Sequence, residues 1–268
     1  LERAVTSCHP VNWYFRASMF NVMNHRYLCD GTSDGLLSAI EWILQEESDP
    51  AEVTLSARED TLFEEGLFIA TDPVRAEALF SRLKERAPDA AHTLYFFMLS
   101  ENEGMEQSLL QYIVQAFRHG DKVNGYLTHP AVRDIVTVSR KAARELHRMK
   151  GLLRFEKLRD GAYLAQMEPD HNIIQPLAYH FSRRLRAQHW FLYDRKRRTA
   201  ASWNQGSLRF GTIEQFTAPA LSDDEKKIQA MWQAFFKTIA IPDRKNPRLQ
   251  KSNMPMKYWK FLTEKQVE

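Results

Sequence analysis

The segment from Ala131 to Lys150 constrains the fold more than any other, because it keeps one periodicity over some twenty residues. Val132, Ile135, Ala142, Leu146 and Met149 fall on one side of a 3.6-residue repeat, and Arg133, Arg140, Arg144 and Arg148 fall along another. This predicts a helix about 30 Å long. Its apolar side must be covered by other elements, and its basic stripe must face water. Gly151 is expected to stop it.

Shorter elements surround this helix. Tyr27-Leu28-Cys29-Asp30-Gly31 reads as a strand ending in an Asp-Gly turn. Ser33 is the expected cap of a following helix, with Leu36, Leu37, Ile40 and Leu44 at helical spacing. Leu67–Ala70 is a second strand candidate, and Asp72-Pro73 opens a helix with Ala76, Leu79, Phe80 and Leu83 inward. Further helices are expected over Ala90–Leu99 and Met105–His119. Gly120–Pro130, polar and with two glycines, is the expected connection to the long helix.

After Gly151, Leu152–Leu158 and Ala162–Met167 form a predicted hairpin around Asp160-Gly161, where the turn needs a positive φ. Leu177, Phe181 and Leu185 mark the next helix. Pro176, lacking an N–H, fits its first turn, so Glu168-Pro169-Asp170-His171-Asn172 becomes a strand-to-helix connection. Trp190–Tyr193 and Thr199–Trp203 form a second strand pair, extended by Leu208–Phe210. Ser222-Asp223-Asp224-Glu225 has capping-box spacing, and Ile228, Met231, Trp232, Phe235 and Ile239 make the apolar face of the helix it opens. Pro242, Pro247 and Pro255 then break the chain before a last short helix around Lys257–Leu262.

The expected class is α+β. An acidic, helix-rich N-terminal part, α/β or mostly helical, covers residues 26–128. A basic α+β module with a small antiparallel sheet packed by helices covers 129–268. Residues 1–25, without clear period or caps, are expected to be a non-native or disordered extension.

Composition narrows the function classes. A chain of 268 residues can bury a real core. It has no apolar run near the roughly 18 residues of a spanning helix, and no basic segment leads into an apolar one as in a signal peptide. A cytoplasmic protein without a membrane partner is expected. Two cysteines, Cys8 and Cys29, cannot build a disulfide framework, a four-thiolate zinc site or an iron–sulfur cradle.

The net charge of +3 conceals an asymmetry. Residues 1–138 carry 11 Lys+Arg against 21 Asp+Glu, and residues 139–268 carry 26 against 13. One half is at −10 and the other at +13, so the second half is the one suited to a polyanion.

Four clusters carry candidate chemistry. Glu168, Asp170, His171 and Asn172 set carboxylates beside an imidazole, the minimum for moving a proton near neutral pH. The competing role is structural, with Asp170 or Asn172 capping the next helix. His147, Arg148, Lys150 and Arg154 sit around a helix C-terminus, where they complement its dipole or grip phosphates. Arg183–Arg198 packs seven cations, including Arg195, Lys196 and Arg197, among Trp190, Phe191 and Tyr193. The tail adds Arg244, Arg248, Lys251 and Lys257, with Tyr258 and Trp259 as core anchors. Glycine-rich phosphate loops, nucleophile elbows and dinucleotide fingerprints are absent.

The strings Tyr27–Gly31, Glu145–Phe155, Glu168–Asn172, Trp190–Lys196, Phe235–Ile241 and Asn246–Gln250, with Met254-Pro255 and Tyr258-Trp259-Lys260, together resemble a known family. It comprises bacterial DNA-repair or DNA-metabolism proteins with a domain of unknown function. The resemblance covers nearly everything after residue 26. It implies a DNA-repair setting beside a radical-SAM repair protein, and related versions are fused to a uracil-DNA glycosylase-like domain. The radical-SAM cluster cysteines are missing here, so this chain would be the companion. The resemblance supplies a setting rather than a reaction and names no cofactor.

From residue chemistry, the expectation is a DNA-binding protein acting with that partner on damaged or modified nucleotides. Asp170 and His171 are its candidate acid/base pair, with Glu168 and Asn172 in support. The alternative is a non-catalytic adaptor that recruits a radical-SAM enzyme or glycosylase.

Overall fold

The computed structural model describes residues 26–58 and 66–266. The extension expected over residues 1–25 lies outside them. The chain divides into two compact units. One comprises the described residues through Ala87 together with Glu103–Gly120, and the other Pro88–Asn102 and the described residues from Asp121 on.

The first unit is α/β. Strand β1 (Arg26–Cys29) runs between β2 (Thr54–Ala57) and β3 (Leu67–Phe68), parallel to both. A central parallel strand is shielded on both faces, and Tyr27, Leu28 and Cys29 are accordingly buried. The turn after β1 is built on Asp30, whose Oδ1 accepts from the Thr32 N–H and hydroxyl and whose Oδ2 accepts from Thr71. Helix α1 (Ser33–Glu46) is capped by Thr32, one residue before the expected Ser33, because the extended Thr32 brings its hydroxyl 3.0 Å from the Gly35 N–H. Helix α2 (Pro73–Arg86) starts as the sequence predicts, on the Asp72 cap. From α4 (Glu106–His119), the Gln107 amide accepts from the Leu55 N–H and donates to the Val53 carbonyl, covering the free edge of β2.

In the second unit, α3 (Pro88–Met98) packs on α5 (Pro130–Leu152). The latter is the long helix of the sequence pattern, with Val132, Ile135, Ala142, Leu146 and Met149 all buried and Arg133, Arg140 and Arg144 exposed. Its sheet runs in the order β4 (Glu156–Lys157), β5 (Tyr163–Met167), β6 (Trp190–Asp194), β7 (Thr199–Asn204), β8 (Ser207–Thr212). Gly161, at φ +87°, serves the β4–β5 turn. The sheet is mixed rather than antiparallel throughout: β5 and β6 are parallel, because helix α6 (Ile174–Arg184) crosses over between them. Leu146, Met149, Met167, Ile173, Leu177, Phe181, Trp190 and Tyr258 form one core.

Three further expectations need correction. Gly151 does not stop α5, which runs on to Leu152 and shortens the following strand to two residues. The apolar face of α7 (Asp223–Thr238) exists but is not covered, with Ile228, Met231, Trp232, Phe235 and Ile239 between 40% and 71% exposed. Polar contacts hold this helix instead: Glu225 accepts from the Lys157 N–H, Gln229 donates to Glu156, and Gln233 donates to the Thr263 carbonyl. Pro247 opens an unpredicted helix, α8 (Pro247–Asn253), and the final segment, Met256–Phe261, is a 3₁₀ rather than an α-helix.

A methyl group at Gly151 would meet nothing within 4 Å outside its own helix. Gly151→Ala should therefore raise stability by about 0.5–1 kcal/mol in urea denaturation, by restricting the unfolded chain and favouring helix. A loss of stability would show that the helix does not continue through this position.

Candidate functional site

The Glu168–Asn172 connection leaves β5 and enters α6, and side chains meet four of its backbone polar groups. Glu145, on the buried stripe of α5 and only 4% exposed, accepts from the backbone N–H of Asp170 at 2.9 Å and of His171 at 2.8 Å. From the opposite side, Arg197 donates to the carbonyls of Pro169 (3.2 Å) and Asp170 (2.8 Å). Arg197 is itself gripped by the fully buried Asp194 and by Glu101, and Lys196 adds a 3.2 Å bond to the Asp170 carbonyl. A carboxylate thus takes the N–H groups and a guanidinium takes the carbonyls, as a neighbouring strand would.

Glu145 also holds the tail. Its Oε1 accepts from the Tyr258 hydroxyl and from Lys257 Nζ at 2.9 Å. Its Oε2 lies 2.5 Å from His171 Nδ1. Lys257 is shared with Asp170, and Lys260 pairs with Glu168 at 2.5 Å. Burial pushes the Glu145 carboxyl up, but the donors from His171, Tyr258, Asp170 and Lys257 outweigh it and hold the group well below the usual carboxylate range. Burial and the neighbouring Glu145 raise the Tyr258 phenol. Burial works against charge on Lys257, yet Asp170, Tyr258 and Glu145 keep it above the ordinary lysine value. At Asp194 burial prevails over Arg197, and the carboxyl is raised.

The partner of His171 is therefore Glu145 and not Asp170. With a carboxylate on Nδ1, that nitrogen carries the proton, and Nε2 is the end left to exchange one. This is the geometry of a general acid/base held by an orienting carboxylate. An open cleft of about 540 Å³ lies over the loop, lined by Glu168, Asp170, Lys196, Met256, Lys257 and Lys260. Its three lysines already meet carboxylates or a carbonyl. Neither Asp170 nor Asn172 caps α6, whose start has no side-chain cap. Asn172 instead donates to Glu101 at 2.8 Å. No group of three His, Cys, Asp or Glu side chains suited to a metal ion occurs among the described residues.

The candidate DNA-binding residues separate into two groups. Arg154 is spent in a bidentate pair with the buried Glu264, which also accepts from Trp232, and Lys257 and Lys196 are spent on the loop. His147, Arg148, Lys150, Arg195, Arg244, Arg248 and Lys251 make no ion pair among the described residues. Sequence reasoning missed Glu145, Asp194, Glu101 and the clamping role of Arg197. A signal for Glu145 existed: it stands three residues after Ala142 and four before Met149, on the apolar stripe, where a carboxylate must have partners.

A family described as a domain of unknown function, DUF4130, matches residues 103–264. The chain belongs to this family. The DUF4130 match spans α4 and everything from α5 to Glu264, so Glu145, the loop, Arg197 and Lys257-Tyr258 all lie inside it, while Glu101 lies two residues before it. No curated protein and no solved structure matches the chain. Among the described residues, no helix is long and apolar enough to cross a membrane.

Removing the Glu145 carboxylate leaves buried donors unmet, so Glu145→Ala should cost about 3–5 kcal/mol in urea denaturation at neutral pH. The pH dependence has a definite sign. A carboxyl whose pKa is depressed on folding contributes its full stability above the ordinary glutamate value of 4.5 and loses it as pH falls below that. Wild type should therefore lose stability towards low pH more steeply than Glu145→Gln, and parallel acid profiles would remove Glu145 from this role.

Proposed function

We propose that the chain is a DNA-binding protein of a bacterial, cytoplasmic repair pathway, working beside a radical-SAM enzyme on damaged or modified nucleotides, and that its own part is to hold the DNA. The observation that carries this reading is the unspent positive charge of the second unit. That unit carries 28 Lys+Arg against 17 Asp+Glu, or +11, and six of the candidate phosphate ligands, Arg148, Lys150, Arg195, Arg244, Arg248 and Lys251, make no ion pair among the described residues. Cations on a folded surface that have no internal partner are available to a polyanion. The family resemblance supplies the repair setting, the radical-SAM partner and the possible recruitment of a glycosylase-like protein.

The closure of the Glu168–Asn172 loop favours the adaptor form of this proposal. Glu168 and Asp170 are held by Lys260 and Lys257, and the loop backbone is clamped from both sides. One observation favours a catalytic form, the 2.5 Å contact that orients His171 on Glu145.

Titrating salt against duplex DNA tests the binding. If about five phosphates are neutralised, log K should fall against log salt with a slope near −4 to −5, and Arg148→Ala with Lys150→Ala should flatten that slope by about 2. A slope unmoved by the double substitution would put the contact elsewhere. For the chemistry, the purified protein is incubated with damaged duplexes and single strands. The adaptor form expects binding, no released base and no cut strand, and His171→Gln with unchanged affinity. A product that wild type makes and His171→Gln does not make would establish the catalytic form.

A further inference from the structure

A second concavity of the same unit lies apart from the Glu145 network. It is an open groove of about 650 Å³ along α6, closed by Tyr95 of α3 and Lys150 of α5. The wall from α6 is one complete helical face, with Tyr179, His180, Arg183 and Arg184 at successive three- and four-residue steps. The opposite face of α6 carries Ile174, Leu177, Ala178 and Phe181 into the core, so the groove is held by a rigid element.

Its chemistry is one-sided. Lys150, Arg183 and Arg184 make no ion pair among the described residues, and no carboxylate contributes to the lining. His180 Nε2 is out of water and has no hydrogen-bond partner among the described residues. Burial, with Lys150 and Arg184 nearby, lowers the His180 pKa, so the ring adds a neutral polar group to a cationic groove. Tyr179 of the lining has an aromatic neighbour outside it. Tyr179 is 51% exposed and Phe210 of β8 is 45% exposed, with their centroids 6.2 Å apart. Two large rings in water beside three unpaired cations form a surface that a protein core does not require.

We propose that this groove holds an unpaired nucleotide of a nucleic-acid strand, with its phosphate on Lys150, Arg183 and Arg184 and its base against Tyr179 and Phe210. The volume is that of a small-molecule site. A duplex keeps its base faces inside the stack and is read by elements that protrude into its grooves, whereas a concave site with exposed rings suits a base that is extruded or single-stranded. The inference rests on the nucleic-acid reading above and adds to it the structural class of the substrate: an unpaired rather than a paired stretch.

Fluorescence anisotropy with the full chain at one salt concentration tests it, using a deoxyuridine decamer, a uridine decamer and a blunt DNA duplex. The decamers are expected to bind more tightly than the duplex, and the comparison between them reports which sugar is accepted. Tyr179→Ala and Phe210→Ala should weaken decamer binding about five- to 150-fold, the usual worth of one stacked base, and leave duplex binding unchanged. Tyr179→Phe, which keeps the ring, should retain it. Because both side chains are exposed, thermal melts should match wild type. Duplex binding as tight as decamer binding, or decamer binding indifferent to Tyr179→Ala, would overturn the groove and leave the DNA-binding reading standing. Failure to bind any of the three probes would overturn both.

Discussion

A carboxylate removed from water has to be met by donors, and the second unit is arranged around the way Glu145 is met. The group sits in the middle of α5, on the side that packs against the core, with Leu146 and Met149 beside it. Its partners come from two places far apart in sequence, the Asp170-His171 backbone and the Lys257-Tyr258 step. Net stability alone does not explain such a group, since a buried ion pair gains little over hydrophobic residues that replace both of its partners together. What the carboxylate adds is geometry: an irregular loop and a short 3₁₀ turn of the tail acquire one position each.

Arg197 complements this from the sheet side. Asp194, at the end of β6, accepts from the N–H groups of Lys196 and Arg197 and so shapes the turn into β7, and it also grips the Arg197 side chain. Strand, turn and guanidinium are thus one unit, and the loop is fastened between a helix and a sheet. The His171 ring is part of this fastening, which is why the same arrangement serves either a scaffold or an acid/base group. Only its reach toward a substrate separates the two.

Much of the architecture could be read from the chain because local signals and tertiary needs agreed. The α5 stripe, the Asp72-Pro73 helix start, the Asp160-Gly161 turn and the Ser222 cap are each dictated within a few residues. Disagreement arose where non-local pairing decides. The parallel β5–β6 pair depends on α6 crossing over, and the Gly151 position depends on how long α5 is supported by its neighbours. For the site, the sequence places Asp170 next to His171, and adjacency made them look like a pair. Glu145, 26 residues earlier, is the true neighbour of the ring, and nothing in local spacing points across that distance. The helical face of α6 that lines the groove was legible as a run of arginines, but its rings were not, because Tyr179 and Phe210 meet only through the fold.

The separation between Glu145 and Tyr258 also orders events in time. During synthesis α5 emerges more than a hundred residues before Lys257 and Tyr258, and until they arrive Glu145 has only the loop to face. The closing contact of the unit is therefore among its last, and it joins residues of large sequence separation, the kind of contact that slows folding. A nascent chain stalled before Lys257 would carry a charged group within an unfinished core, held open to water and accessible to chaperones, and only a chain extended past Tyr258 can shut it.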